Sequence, residues 1–209
     1  MMKSIKYLFK SHSFLILLLL SLLGALVISI SRSEWISTFI TLATIILMIS
    51  PYLIDQNTDI RIPRIFSFSI ALFMYATLFL GEIHGFYNEF WWWDVALHSF
   101  SAFGFGLLGL ILLLILFRKE KVKASPLLLS VFSFSFALAI GSLWEVFEFT
   151  VDQLFGLNTQ KSGLMDTMSD IIIDAMGASI AAIIGYFYLK RDSPAAVEEV
   201  IDQAVKKNI

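Results

Sequence analysis

Long apolar runs recur along the chain, separated by short polar breaks. The pattern predicts six hydrophobic spans at about Ser13–Ile30, Trp35–Ile54, Ile65–Gly81, Asp94–Phe117, Ser125–Asp152 and Thr167–Leu189. Each comes close to or exceeds the roughly 20 residues that an α-helix needs to cross a bilayer. The fifth is longer than a bilayer requires, so its acidic end should rise above the hydrocarbon or the helix should tilt. The expected fold class is all-α, a polytopic transmembrane helix bundle of six spans over residues 1–190. The remaining segment, 191–209, reads as a short amphipathic tail that Ser193 can cap, with Pro194 at its first helical position.

Charge orients this arrangement. Six spans leave both termini on one side, together with the loops at 55–64 and 118–124. All but Arg32 and Lys161 of the fifteen Lys and Arg residues fall on that side. Such an excess marks the cytoplasmic face, so both termini are expected in the cytoplasm and the chain in a bacterial inner membrane. Trp35, Trp91, Trp92, Trp93 and Trp144 fall near the opposite ends of the spans, as an interfacial aromatic belt would. The basic start and first apolar run imitate a signal peptide. That run is too long for one, and "SISRSE" lacks a small-x-small cleavage site, so an uncleaved span is expected.

Composition sharpens the class. The chain is 58% hydrophobic, above the 45–50% usual for soluble domains. No Cys is present, which removes disulfides, thiol nucleophiles and thiolate metal sites. No basic stripe points to nucleic acid. Membrane lipid is the expected partner.

The acidic residues break the apolar pattern. Glu34, Glu82, Glu89, Asp94, Glu145, Glu148, Asp152, Asp166, Asp170 and Asp174 all fall in the outer half, with His84 and His98. Spacing gathers several of them. Asp94 and His98 share a face of the fourth span. Gly141, Glu145, Glu148 and Asp152 share one of the fifth, and Asp166, Asp170, Asp174, Gly177 and Ala181 one of the sixth. Small residues on these stripes let helices approach closely. At 1.5 Å per residue, His98, Glu145 and Asp174 should lie on the order of 10 Å below the outer surface.

An Asp at the centre of a span costs about 2.5–3.5 kcal/mol on insertion scales, and such residues usually mark function. Crowded carboxylates in a low dielectric also repel one another. No Lys or Arg lies in the outer halves of the spans, so shared protons, a protonated imidazole or a bound cation must neutralise them. A metal site here would be oxygen-rich. Mg²⁺, Mn²⁺ or Ca²⁺ would suit it, with Zn²⁺ or Fe²⁺ reachable through His98. Asp94, His98, Glu148 and Asp174 are the candidate ligands, and Glu145 and Asp170 the candidate catalytic carboxylates, one acting as general base beside the metal. Glu82, His84, Trp144, Asp152 and Asp166 complete the outer rim, where a substrate would be met. An unbound His84 at that interface is also unremarkable.

Three function classes fit: a metal-dependent enzyme acting on an envelope or lipid-linked substrate, a proton- or cation-coupled transporter, and a binding or scaffold protein with a structural polar knot. The inner halves of the spans are almost purely apolar, which disfavours a through-going ion route and favours the enzyme.

The segments "WWWDVALHSF" and "WEVFEFTVDQLFGLNTQKSGLMDTMSDIIIDAMGA" resemble the uncharacterised bacterial inner-membrane proteins of the YjdF type, over roughly Gly81 to Gly185. More distantly the chain looks like the VanZ-like family. That family's pattern is an Asp with a His four later, a Glu–Gln pair, then Asp, Asn and Gly. The matching positions are Asp94 and His98, Glu145 and Glu148, then Asp170, Asp174 and Gly177. Glu148 replaces the Gln, Asp174 the Asn, and an expected loop Arg is missing, with Gln160 and Lys161 nearby. These departures make the site more acidic. The resemblance implies a shared site and brings no established reaction with it.

Overall fold

The computed structural model describes residues 2–58, 64–120 and 125–191, with side chains from 14, 66 and 125 onward in the three stretches as far as 58, 114 and 191. The expected tail helix, from residue 192 on, lies outside the described residues. Among those described, the secondary structure is entirely helical: α1 Met2–Ser31, α2 Trp35–Asn57, α3 Arg64–Met74, α4 Phe86–Glu89, α5 Trp92–Glu120, α6 Pro126–Phe155 and α7 Leu164–Arg191. Between α3 and α4 the chain continues as a π-helical segment, Tyr75–Ile83. Six helical stretches are long and apolar enough to cross a membrane, at Phe14–Ser31, Trp35–Asn57, Phe66–Ile83, Trp92–Leu114, Pro126–Phe155 and Leu164–Arg191. These agree with the six expected spans, with ends shifted by a few residues.

The described residues form two compact units, one up to Phe90 and the other from Trp91. In the first, Leu15 and Leu22 of α1, Met48 of α2, Ala71 of α3 and Phe79 of the π-helical segment make the core. Thr38 Oγ1 donates to Ser29 Oγ at 2.9 Å across the α1–α2 turn, and Ser21 and Tyr75 share a hydrogen bond of 3.0 Å. Such interhelical bonds add to apolar packing where lipid supplies no hydrophobic drive between helices.

The second unit is three long helices, with α6 antiparallel to α5 and α7. Pro126 suits the first turn of α6, where a missing N–H costs nothing, and Ser125 caps it by accepting from Leu128 N at 3.2 Å. Gly156, at φ 66°, ends the same helix. Small residues draw the three helices together. Ala102, Ala137, Ala178 and Ala181 are buried, and Ser133 Oγ donates across to the Gly106 carbonyl oxygen at 2.6 Å. A Cβ on Gly177 would stand 2.7 Å from the Ser99 carbonyl oxygen, so α7 reaches the α5 backbone only because residue 177 lacks one. At one end of the unit Leu110, Leu113 and Leu129 pack together. At the other end, where α5 and α7 begin and α6 finishes, the acidic residues collect.

Candidate metal centre

His98 occupies the middle of this acidic end. It is 9% exposed, Glu145 3%, Asp170 4% and Asp174 1%. The imidazole Nδ1 lies 3.2 Å from Asp174 Oδ1. With a carboxylate on Nδ1, that nitrogen donates the hydrogen bond, and in the neutral imidazole Nε2 then carries the lone pair. Nε2 faces three carboxylates from three helices: Asp94 Oδ1 at 3.7 Å, Glu145 Oε1 at 3.9 Å and Asp170 Oδ2 at 3.9 Å. All three are too far for hydrogen bonds. Both oxygens of Glu145 and Oδ2 of Asp174 are buried without a hydrogen-bond partner. The Thr167 hydroxyl lies near Glu145 but outside hydrogen-bonding geometry.

Two groups of potential ligand atoms result. One atom each from His98, Glu145 and Asp170 lie within 4.8 Å of one another, and so do atoms from Asp94, Asp166 and Asp170. Some point then lies within about 2.8 Å of all three atoms of a group, against roughly 2.3–2.6 Å for Ca²⁺–oxygen and 2.0–2.1 Å for Mg²⁺–oxygen bonds. Closing that gap takes side-chain adjustments of about 0.2–0.5 Å for Ca²⁺ and about 0.7–0.8 Å for Mg²⁺.

The loop between α6 and α7 adds a feature that spacing did not reveal. Asp152 folds it back: its Oδ1 accepts from Thr159 N and Thr159 Oγ1, each at 2.8 Å, and its Oδ2 from Gln160 N at 2.9 Å. Gln160 Nε2 donates to Thr167 Oγ1 at 2.5 Å. The loop thereby sets Lys161 Nζ 3.0 Å from Asp94 Oδ2. The expectation that only protons, an imidazolium or a bound cation could neutralise the acids is corrected here. The outer halves of the spans supply no Lys or Arg, but the loop does, because Asp152 holds it against the helices.

The sequence-derived candidates therefore separate. Asp94, His98, Glu145, Asp166, Asp170 and Asp174 converge. Asp174 holds Nδ1 of His98, beside the carboxylates that Nε2 faces. Glu148 is half-buried, accepts from the Trp144 indole at 3.0 Å, and belongs to neither group of ligand atoms. Asp152 is engaged by the loop. Glu82 and His84 belong to the other unit, where His84 Nδ1 meets the Phe79 carbonyl oxygen at 3.0 Å. Lys161 was missed as a partner of Asp94. The only sequence signal for it was its isolation as a single cation in an acidic half.

Residues 11–191 match the model of a family described as predicted membrane protein (DUF2238). The chain belongs to this family. It is also 30% identical over 170 residues to an uncharacterised protein of Thermotoga maritima, an alignment covering 80% of this chain and 86% of that protein. No solved structure matches. Membership makes the chain an integral membrane protein of an uncharacterised family, in agreement with its six apolar helices.

Proposed function

We propose that His98, Glu145 and Asp170 bind a divalent cation in the non-cytoplasmic half of the membrane, and that the protein is an enzyme using this ion on an envelope or lipid-linked substrate. One observation carries the reading. A buried imidazole, held at Nδ1 by Asp174, turns Nε2 towards three carboxylates that stand at 3.7–3.9 Å, beside a Glu145 whose buried oxygens have no well-formed hydrogen bond. Leaving an ionised carboxylate buried and unpartnered is costly, and a cation among these groups removes the cost. Asp174 then serves the carboxylate–histidine–metal role that fixes a ligand's tautomer. The metal would polarise a substrate oxygen or lower the pKa of a bound water.

The same unit argues against a through-going ion path. Residues 99–117, 125–144 and 175–189 contain no Asp, Glu, His, Lys or Arg, so the polar groups are confined to one end. That supports chemistry at one membrane face over transport. The positive-inside distribution assigns that end to the outside, and the YjdF-type and VanZ-like resemblances, centred on these positions, belong to the same reading.

The test is cation binding by purified protein in lipid nanodiscs, followed by calorimetry and thermal unfolding with Mg²⁺, Mn²⁺, Ca²⁺ and Zn²⁺. Binding that stabilises the wild type and is lost in Glu145→Gln is expected. If no cation binds, and Glu145→Gln raises the melting temperature, the carboxylates are a protonated structural knot.

A further inference from the structure

We infer that the site holds two divalent cations, with a second, all-oxygen subsite formed by Asp94, Asp166 and Asp170 and with the Asp170 carboxylate bridging the pair. This rests on the one-ion reading above and extends it. Asp170 is the one residue common to both groups of ligand atoms. It is 4% exposed, and its Oδ2 stands 3.9 Å from His98 Nε2, beyond hydrogen-bonding distance. The buried Asp170 carboxylate is thus common to the two groups and lacks a hydrogen bond to hold either oxygen away from an ion. Asp94 is disposed in the same way. Its Oδ2 takes Lys161, and its Oδ1 turns inward, 3.7 Å from His98 Nε2. Lys161 therefore orients Asp94 without using up both its oxygens.

Charge supports two ions. With His98 neutral and every carboxylate ionised, as ligation requires, Asp94, Glu145, Glu148, Asp166, Asp170 and Asp174 oppose the Lys161 ammonium. One divalent ion leaves a large negative excess in a low dielectric, where like charges repel strongly. Two bring the cluster close to neutrality. Carboxylate-bridged pairs lie about 3.5–4 Å apart, a separation that one shared carboxylate spans. The donor sets also differ. The His98 subsite accepts Zn²⁺ as well as harder ions, whereas the oxygen-only subsite selects Mg²⁺, Mn²⁺ or Ca²⁺.

Mn²⁺ is the probe. Nanodisc-embedded protein is titrated with Mn²⁺ while bound ion is counted by elemental analysis and followed by electron paramagnetic resonance. Two Mn²⁺ per chain are expected, with the six-line signal of isolated Mn²⁺ suppressed by coupling within the pair. Asp166→Asn should bind one Mn²⁺, with the uncoupled signal restored. Asp94→Asn should do the same, which guards against a folding defect peculiar to position 166. Zn²⁺ at one equivalent should displace one Mn²⁺ and leave the other. Saturation at one Mn²⁺ in the wild type, with Asp166→Asn changing its affinity less than twofold, overturns the second subsite and leaves the one-ion reading standing. Binding of none overturns both.

Discussion

Adding one methyl group to Gly141 should uncouple His98 from its orienting carboxylate. A Cβ there would stand 2.7 Å from Asp174 Cγ and 3.2 Å from Asp174 Cβ. Asp174 is 1% exposed, so no solvent is available to take up a displaced carboxylate. In Gly141→Ala the Asp174 side chain must rotate or α6 must move away from α7, and either change lengthens the 3.2 Å contact to His98 Nδ1. Overpacking of this kind costs about 1–3 kcal/mol. Loss of a partner that orients a histidine ligand costs about ten- to a hundredfold in metal affinity. Two other glycines separate these effects. In Gly109→Ala the new Cβ would lie 2.9 Å from the Phe136 ring, so this variant is overpacked away from the acidic end. In Gly104→Ala the Cβ meets nothing within 4 Å, and the helix gains up to about 1 kcal/mol of propensity. Thermal unfolding should rank Gly104→Ala at or above wild type, with Gly109→Ala and Gly141→Ala both below it. Calorimetry with Mn²⁺ should find reduced affinity in Gly141→Ala alone. Equal Mn²⁺ affinity in Gly141→Ala and Gly109→Ala would refute the claim that Asp174 positions His98.

Asp152→Ala should release the loop that carries Lys161, seen as faster proteolysis between Gly156 and Gly163, while Asp152→Asn should release it less because the amide oxygen can still accept. Lys161→Met should leave Asp94 without its 3.0 Å partner and lower thermal stability by up to about 1 kcal/mol in metal-free protein, with part of the loss recovered on adding Mg²⁺. Cation affinity should fall steadily as pH is lowered, because carboxylate and imidazole ligands must be deprotonated to bind; affinity independent of pH between 5 and 8 would contradict ligation by these groups. Cysteines introduced at Asn88 and Leu157 should react with an impermeant reagent in intact cells and one at Lys121 only after lysis, since the natural chain has no cysteine to interfere; labelling at Lys121 in intact cells would sink the assigned orientation.

The spans were legible because length and apolarity alone define a membrane helix, and the six expected segments recur in the structure. The stripes were legible for a similar reason. Residues four apart share a helix face, so Asp94 with His98, and Asp170 with Asp174, could be paired without coordinates. What periodicity does not give is the rotation of one helix against another. Glu145 and Glu148 are a turn apart, yet one is buried at the imidazole and the other lies aside, bonded to Trp144. The division between Asp170, which faces Nε2, and Asp174, which holds Nδ1, depends on the same rotation. Loops carry no such period at all. Nothing in "GLNTQKSG" foretold that Asp152 would anchor the backbone at Thr159 and Gln160 and so bring Lys161 to Asp94. The π-helical stretch Tyr75–Ile83 was equally invisible, since its residues read as an ordinary apolar span.

The most direct measurement is an anomalous-scattering map of crystals grown with Mn²⁺, recorded on either side of the manganese absorption edge. A peak bonded to His98 Nε2, Glu145 and Asp170, with the Asp174–His98 contact intact, is the predicted result. Ordered side chains at all three residues with no anomalous density among them, or a manganese peak only at other residues, would contradict it.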